Sequence, residues 1–357
     1  MRIKLLVCLL VLSLVTIPLF GACAQPAPPA SSPSPTAVAA PEIKLSLSHF
    51  WPASHFLNTE QVPAWIKDIE AASKGRVKIT VHPGETLVKS AEIYDGVVKG
   101  ITDIGLSVFA YTRGRFPLFE AWELPGVPYS NATAAAVVAW EGYKKFKPAE
   151  LNDTKVLYLF ATGPGHMWTK KPVRTLEDLK GMRIRATGLS AKSLEVLGAV
   201  PVAMGQPEAT EALMKGVVDG NLSPLETLKG FKQAELVSYI TMTPFIYNTV
   251  FFAVMNKEKF NSLPPDVQQA FDQVNGNWSE KAGKVWDAHM QEGLDYGVKD
   301  NKLQVIELSA AETAKWKALL TPLQDKYIAD MNAKGLPGKE VLAEVIKLGE
   351  KYSQQYK

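Results

Sequence analysis

Two stretches of this sequence share a turn that leads into a strand-like run: KGRVKITV at 74–81 and KGMRIR at 180–185. A second pair of matches follows in the same order, KGITD at 99–103 and KGVVD at 215–219. Lysine and glycine after an apolar helical pattern indicate a helix end, because glycine adopts the left-handed conformation at little cost. The repeated order of helix ends and strands predicts two α/β halves, each with a mainly parallel sheet flanked by helices.

The segments around this repeat extend the pattern. An alternating run at 43–49 predicts a first strand, and the apolar run at 247–255 is typical of a strand buried in the centre of a sheet. A helical tract runs from 264 to about 300 and would be roughly 50 Å long at 1.5 Å per residue, enough to bridge two lobes. A glycine in this tract, at 276 or at 283, would allow a bend.

These elements predict two lobes and an N-terminal extension. The first lobe takes residues 43–165 plus about 248–275. The second takes 166–247 plus about 276–357, including helices that cover the outside. Each half would place the carboxyl ends of its strands at the cleft between the lobes, where ligands of open α/β sheets bind.

Residues 1–22 have the pattern of an export signal. A short basic start precedes a mostly apolar run at 5–20, which is shorter than the roughly 20 apolar residues of a spanning helix. The run ends at Phe20-Gly21-Ala22-Cys23, which resembles a bacterial lipobox, although leucine is usual where Phe20 stands. The sequence therefore predicts a lipoprotein signal peptide and a lipid on Cys23; the alternative is an ordinary signal peptide cut nearby, with Cys23 incidental.

The segment after Cys23 is a predicted tether. Residues 24–41 consist mostly of alanine, proline and serine and carry no charge, so they cannot form a core. The prediction is a soluble body held by a lipid at an extracytoplasmic membrane surface, in the periplasm or at the cell surface.

The composition excludes several classes of protein. The 357 residues include 39 basic and 36 acidic side chains, whereas a nucleic-acid-binding protein needs a clear basic surplus. Both cysteines, Cys8 and Cys23, precede the folded body, which excludes a disulfide framework, a cysteine zinc site and a cysteine nucleophile there. The five histidines show no metal-ligand spacing, and neither a G-x-S-x-G motif nor a phosphate-binding loop is present. No enzymatic activity is predicted.

Several of these stretches resemble one family, the extracytoplasmic solute-binding proteins of TRAP transporters (the DctP type). The most specific is LEDLKGMRIR at 176–185, which is similar to the family's DLKGxKxR segment, followed by LMKGVVDG at 213–220 and VMN at 254–256. The resemblance implies a two-lobe periplasmic-binding-protein fold with a long helix bridging both lobes. It also implies capture of a small organic acid in the cleft and delivery to the permease subunits of a TRAP transporter, which an ion gradient drives.

Arg185 is the first candidate for binding the acid. It lies near the end of its predicted strand, and in the internal repeat it aligns with the apolar Ile79. A guanidinium group offers a planar fork that matches a carboxylate. The residues alone leave open that Arg185 pairs with a local acid or faces solvent, and the resemblance favours the carboxylate role. Arg183 and Arg115 are interpreted as surface or structural residues.

The other candidates of the first lobe lie in loops at predicted strand ends, which would face the cleft. In the second lobe, the resemblance to the family implies Gln206, Asn221, Ser223 and Glu226. For the aromatic candidates, the alternative is packing in a core. For His166, the alternative is a loop residue that takes no part in binding. Gln206 and Ser223 depart from the family pattern, since sialic-acid-type members carry phenylalanine and many members carry asparagine at those places. The full set of additional candidates is His49, Phe50, Trp51, Phe109, Tyr111, His166, Trp168, Gln206, Asn221, Ser223, Glu226, Phe245, Tyr247 and Asn248.

Three other functions are alternatives to a TRAP solute-binding protein. A solute-binding protein of an ATP-driven importer shares the lobes, the lipid and the cleft, but the KGMRIR segment and the long tract after Pro264 favour the TRAP type. A structural surface lipoprotein has no need for an arginine in a buried strand. An enzyme is disfavoured because the sequence lacks the catalytic motifs named above. The aromatic candidates favour an acid with an apolar body, and no cofactor is predicted; Glu226 could instead meet hydroxyls or a cation that bridges ligand and protein.

Overall fold

The structure is a computed structural model that describes residues 41–112 and 114–357. The predicted signal peptide, Cys23 and the tether up to residue 40 lie outside the described residues. The compact unit runs from Pro41 to Lys357. Within this unit, no helix is both long enough and apolar enough to cross a bilayer.

Strands and helices alternate through most of the chain. The strands are β1 (Ile43–His49), β2 (Val77–His82), β3 (Ile104–Val108), β4 (Thr154–Ala161), β5 (His166–Thr169), β6 (Arg183–Ala186), β7 (Val200–Ala203), β8 (Gly220–Ser223), β9 (Tyr239–Met242), β10 (Val250–Asn256) and β11 (Gln304–Glu307). The helices are α1 (Val62–Ala72), α2 (Ile93–Val98), α3 (Ala132–Phe146), α4 (Leu176–Leu179), α5 (Gly188–Val196), α6 (Gln206–Met214), α7 (Thr227–Gly230), α8 (Lys257–Asn261), α9 (Pro265–Asn275), α10 (Trp278–Asp295), α11 (Ala310–Leu320), α12 (Pro322–Ala333) and α13 (Gly338–Gln355).

The strands form two sheets with matching topology. The first has the order β2-β1-β3-β10-β4 and the second β7-β6-β8-β5-β9-β11. In the first sheet β1 is parallel to β2 and β3, while β10 is antiparallel to β3 and β4. In the second, β6 is parallel to β7 and β8, while β5 is antiparallel to β8 and β9. The α/β two-lobe fold is confirmed, but both sheets are mixed rather than mainly parallel.

The topology corrects the alignment of the internal repeat. KGRVKITV at 74–81 forms β2, at the edge of its sheet, whereas KGMRIR at 180–185 leads into β6, which lies between two strands as β1 does. The alignment of Arg185 with Ile79 is therefore wrong, because the strand equivalent to β6 is β1. Gly75 and Gly181 both have positive φ (78° and 74°). This conformation lets a lysine-glycine pair end a helix whatever strand comes next.

Two of the crossings between the lobes follow β4 and β9. The two crossing segments lie side by side and are joined by backbone hydrogen bonds. The Thr162 N–H donates to the Thr249 carbonyl at 2.9 Å, and the Gly165 N–H donates to the Tyr247 carbonyl at 2.8 Å. Each crossing supplies the antiparallel strand of the sheet that it enters, β5 in one lobe and β10 in the other.

The helical tract after 264 is divided into α9 and α10 near Gly276. Helix α10 contacts α3 of the first lobe and α7 of the second, as a bridging helix should. Asp287 in α10 accepts hydrogen bonds from the Ala132 and Thr133 N–H groups at 2.6 and 3.1 Å, which caps the start of α3. Helix α10 continues through Gly283. A Cβ at Gly283 would lie 2.5 Å from the Cα of Thr133, so glycine permits α10 to pack closely against α3.

The C-terminal helices do not all belong with the second lobe. Trp316 and Leu320 of α11 join the core of that lobe. In contrast, Val341 and Val345 of α13 join the core of the first lobe, and α13 packs against α3. The amphipathic pattern of α13 predicted a covering helix, but an apolar face does not specify which lobe it covers.

Candidate functional site

A cavity lies between the two lobes. It is at the carboxyl ends of β1, β3, β6 and β8, where parallel α/β sheets place their ligands. Both lobes contribute to its wall, so the structure is in a closed form. The lining residues are Phe50, Trp51, Val108, Tyr111, Arg185, Thr187, Gln206, Ser223, Pro224, Glu226, Thr227, Phe231, Tyr247, Thr249 and Phe251.

Arg185 is buried in the wall of this cavity, with 3% of its surface exposed. Its Nε and Nη2 both donate to the Met204 carbonyl, at 3.0 and 2.9 Å, and its Nη1 makes a long contact of 3.5 Å to Asn221 Oδ1. A guanidinium group has five N–H donors. One N–H on Nη1 and one on Nη2 are therefore not used in these bonds, and the Tyr111 hydroxyl lies close to the group. This end of the group has the fork geometry that binds both oxygens of a carboxylate.

A chain of buried amides holds Arg185 from behind. Asn221, fully buried in β8, donates from Nδ2 to Gln233 Oε1 at 2.7 Å, which directs its own Oδ1 towards Arg185. Gln233 Oε1 also accepts from Trp168 Nε1 at 3.1 Å, and Gln233 Nε2 donates to Thr210 Oγ1 at 3.3 Å. Because Gln233 is bonded on both sides, the amide orientation of Asn221 is fixed.

Tyr111 and Gln206 join the two lobes across the cavity. The Gln206 N–H donates to the Tyr111 hydroxyl at 2.9 Å, and Ser223 Oγ donates to Gln206 Oε1 at 3.2 Å. Burial raises the pKa of Tyr111, and the nearby charge of Arg185 acts in the opposite direction. The protonated Tyr111 hydroxyl thus accepts from the second lobe and retains its own proton as a donor. Gln206 Nε2 is buried without a partner among the described residues.

Aromatic rings form the apolar part of the cavity. Phe50 and Trp51 stack with their ring centres 3.9 Å apart, and Trp51 meets Phe251 edge to face at 5.2 Å. Tyr111 lies 5.4 Å from Phe50, and Phe231 adds a ring from the second lobe. A ligand held here would have its charge at Arg185 and a flat or apolar body among these rings.

Glu226 supplies a second ionisable group to the cavity wall. It is 3% exposed, and its Oε2 lies 2.9 Å from Nε2 of His55, which is 1% exposed and belongs to the first lobe. Burial raises the pKa of Glu226 well above its usual range and lowers the pKa of His55 to about 3. Burial thus favours the neutral form of both groups.

Several predicted site residues do not line this cavity. Each of them lies behind the cavity wall, in a core or beside another cavity. They are His49, Phe109, His166, Trp168, Asn221, Phe245 and Asn248. Asn221 still contacts Arg185, so it positions the arginine rather than facing a ligand.

Local packing explains three of these positions. Trp168 is completely buried in the second lobe, with its N–H bonded to Gln233. His166 faces a separate cavity near the crossing segments, and its Nδ1 accepts from the Thr243 N–H at 3.0 Å. His49 is also completely buried and makes a 3.2 Å contact from Nε2 to Asn58 Oδ1.

The remaining three are held in different ways. Phe109 stacks on Phe119 at 4.2 Å and lines a neighbouring cavity. Phe245 lies beside Trp316, with Lys317 over its ring. Asn248 is buried in a crossing segment, where both of its side-chain polar atoms lack partners among the described residues.

Other residues of the cavity were not predicted from the sequence. Thr187 and Thr227 are adjacent to predicted positions, and the alternation of strand β10 places Phe251 on one face and Phe252 on the other. Those residues could have been found from their neighbours. Phe231 and His55 carry no comparable signal, since only the closed arrangement of the lobes brings them to the site.

The two arginines that were interpreted as surface or structural residues lie outside the cavity. Arg183 pairs with Asp219 at 3.0 Å and is about half exposed. Arg115 pairs with Asp95 at 2.8 Å and with Asp153 at 2.5 Å. Within residues 41–112 and 114–357, no group of three or more carboxylate, histidine or cysteine side chains is placed to hold a metal ion.

Comparison with known proteins gives one consistent family. Residues 47–330 match the family described as bacterial extracellular solute-binding protein, family 7. A TRAP periplasmic solute-binding protein from Desulfovibrio salexigens, solved in an open complex, is 36% identical, with a TM-score of 0.77 over 88% of this chain and 98% of that chain.

Two further structures of similar proteins contain aromatic acids. A TRAP solute-binding protein from a marine metagenome, specific for aromatic acid ligands and bound to 3-hydroxybenzoate, is 32% identical, with a TM-score of 0.83 over 88% of this chain and 99% of that chain. A TRAP solute-binding protein from Rhodoferax ferrireducens, with copurified benzoate, is 30% identical, with a TM-score of 0.83 over 88% of this chain and all of that chain (100%).

Proposed function

This chain belongs to bacterial extracellular solute-binding protein family 7, the family of TRAP solute-binding proteins, and from that premise we propose that it captures a small aromatic monocarboxylate. The members are transport proteins and not enzymes. In this proposal, Arg185 binds the carboxylate through its free Nη1 and Nη2 N–H groups, and the lobes close over the aromatic body and exclude water.

The observation that carries the proposal is the free end of Arg185 in an otherwise aromatic cavity. A buried guanidinium without an anion is unfavourable, so the site favours a ligand that brings one negative charge. The rings of Phe50, Trp51 and Phe251 that line the cavity favour a flat, apolar body on that ligand. The relatives that hold 3-hydroxybenzoate and benzoate support the same ligand class.

The ligand class is tested by thermal unfolding of the protein starting at Pro41, with a panel of acids. We expect benzoate, phenylacetate or mandelate to raise the melting temperature, since a ligand at 100 times its dissociation constant adds about 2.7 kcal/mol of stability. The uncharged analogue benzyl alcohol should give no shift. An equal shift with benzyl alcohol would contradict the carboxylate role of Arg185, and a shift confined to C4-dicarboxylates or sugar acids would contradict the aromatic assignment.

We further propose that a lipid on Cys23 holds the protein at the outer face of a membrane, and that the closed form delivers its ligand to a TRAP permease. The lipobox-like sequence supports the anchor, and family membership supports the TRAP permease over an ATP-driven importer. In cells, Cys23→Ser should move the protein from the membrane fraction to the soluble fraction. Uptake of labelled benzoate should stop when an ionophore collapses the ion gradient at unchanged ATP; continued uptake would favour the ATP-driven route.

A further inference from the structure

The contact between His55 and Glu226 brings together two buried residues that are distant in the chain and belong to different lobes. His55 follows β1 in the first lobe, and Glu226 follows β8 in the second. Glu226 lines both the ligand cavity and an outer cavity, whereas His55 lines the outer cavity alone. Lys229, His289 and Glu292 also line the outer cavity. The pair therefore forms part of the wall that separates the ligand from the outside.

The hydrogen bonds of His55 define which atoms of Glu226 are free. The Leu57 N–H donates to His55 Nδ1 at 3.1 Å, so this nitrogen is an acceptor. In the neutral imidazole, Nε2 then carries the hydrogen and donates to Glu226 Oε2 at 2.9 Å. Glu226 Oε1 has no hydrogen-bond partner among the described residues. One carboxyl oxygen is thus held by His55, and the other is available to a ligand.

Two glycines allow this close arrangement. A Cβ on Gly230 would lie 2.5 Å from the His55 ring and 3.2 Å from Glu226 Oε2, so a side chain there would separate the pair. On the other side, a Cβ on Gly293 of α10 would lie 2.7 Å from Glu226 Cα. Glu226 is consequently confined between the His55 ring and the bridging helix, and it cannot turn away from the cavity without moving one of them.

The surroundings of Glu226 favour the uncharged acid. Burial raises the pKa of Glu226, and His289 acts in the opposite direction. Since His55 Nε2 donates to Oε2, Oε1 is the oxygen that carries the proton when the acid is neutral. A neutral carboxyl group both donates and accepts a hydrogen bond, and it does not repel the carboxylate that Arg185 binds.

From this geometry we propose that Glu226 recognises a hydroxyl group of the ligand, so the preferred substrates are hydroxylated aromatic monocarboxylates. This inference rests on the proposed function, because it concerns a second anchor in the same cavity. A ligand that lacks the hydroxyl would bury Glu226 Oε1 against an apolar surface, which leaves its hydrogen-bonding capacity unused. Sites built to bind a hydroxyl reject the analogue without it for this reason.

The test compares matched acids by isothermal titration calorimetry of the exported protein: benzoate with 3- and 4-hydroxybenzoate, and phenylacetate with 3-hydroxyphenylacetate and mandelate. We expect at least one hydroxy acid to bind about tenfold more tightly than its parent acid, the effect of one well-made hydrogen bond. In Glu226→Leu, the ratio of the affinity for the hydroxy acid to the affinity for its parent acid should fall to near one. Glu226→Gln keeps a donor and an acceptor and should preserve most of the ratio.

Glu211→Leu is the matched control, because Glu211 is an exposed carboxylate on α6 that pairs with Lys215; its ratio should equal that of the unmodified protein. If Glu226→Leu does not fold, Glu226→Met offers an apolar side chain of similar length. Equal affinities for parent and hydroxy acids, or an unchanged ratio in the apolar variant, would overturn the inference and leave the proposed function standing. Failure of every aromatic acid to bind would overturn both.

Discussion

Arg185→Ala is expected to weaken carboxylate binding by about 100- to 10,000-fold while the protein remains folded. The free N–H groups on Nη1 and Nη2 can make two charge-assisted hydrogen bonds to a carboxylate, and each contributes about 1.5–3 kcal/mol. Since about 1.4 kcal/mol corresponds to a tenfold change in affinity, losing both gives this range. Isothermal titration calorimetry with the tightest-binding aromatic acid of the panel measures the loss, and thermal unfolding checks the fold.

Arg183→Ala is the matched control for this experiment. Arg183 lies two residues earlier in the same strand, but it pairs with Asp219 outside the cavity. Its removal should leave the affinity unchanged. The affinity of Arg185→Lys should lie between those of the two variants, because an ammonium group keeps the charge but lacks the planar fork. Affinity within tenfold of the unmodified protein in Arg185→Ala would show that the carboxylate is bound elsewhere.

Trp51→Ala is expected to lower both stability and ligand affinity. Trp51 is 1% exposed and packs against Phe50, Phe251 and Trp286 beneath the cavity. Removing a buried tryptophan side chain costs about 3–5 kcal/mol, because the surrounding side chains collapse only partly into the space. The same side chain forms part of the ligand wall. Its loss should therefore weaken the binding of aromatic acids more than the binding of small aliphatic acids.

Trp65→Ala separates these two effects. Trp65 is completely buried in the same lobe and donates from Nε1 to Asn275 Oδ1 at 2.9 Å, but it does not line the cavity. The free energy of unfolding in urea should fall in both variants, whereas the affinity of the folded protein should fall in Trp51→Ala alone. Equal affinity losses in the two variants would mean that Trp51 acts only through general stability.

Much of the local structure could be predicted from the sequence. The strand at 43–49 was predicted with the bounds that β1 has, and the apolar run at 247–255 contains most of the central strand β10. These predictions succeed because alternation and apolar runs reflect contacts within a few residues of the chain. Arg185 was placed near a strand end for the same reason, and the structure has it in β6, one residue before the strand ends.

Part of the candidate site was also accessible from the sequence. Phe50, Trp51 and Tyr111 were predicted from loops that follow strands, Gln206 and Glu226 were predicted from the family resemblance, and all five line the cavity. His166 and Trp168 were predicted from a loop that would cross between the lobes, and they lie elsewhere. A loop position indicates which end of a sheet a residue occupies, but the direction of its side chain depends on neighbours that are remote in sequence.

The sequence by itself determined two α/β halves, the order of most elements, and the position of an arginine near the carboxyl end of a strand. Only the tertiary structure decided that each sheet takes its fourth strand antiparallel after a crossing, that α13 covers the first lobe, and that His55 meets Glu226 across the cleft. The physical reason is the range of the interactions. Helix periodicity and turn conformation depend on neighbours along the chain, whereas these three features depend on contacts between segments that are distant in the sequence.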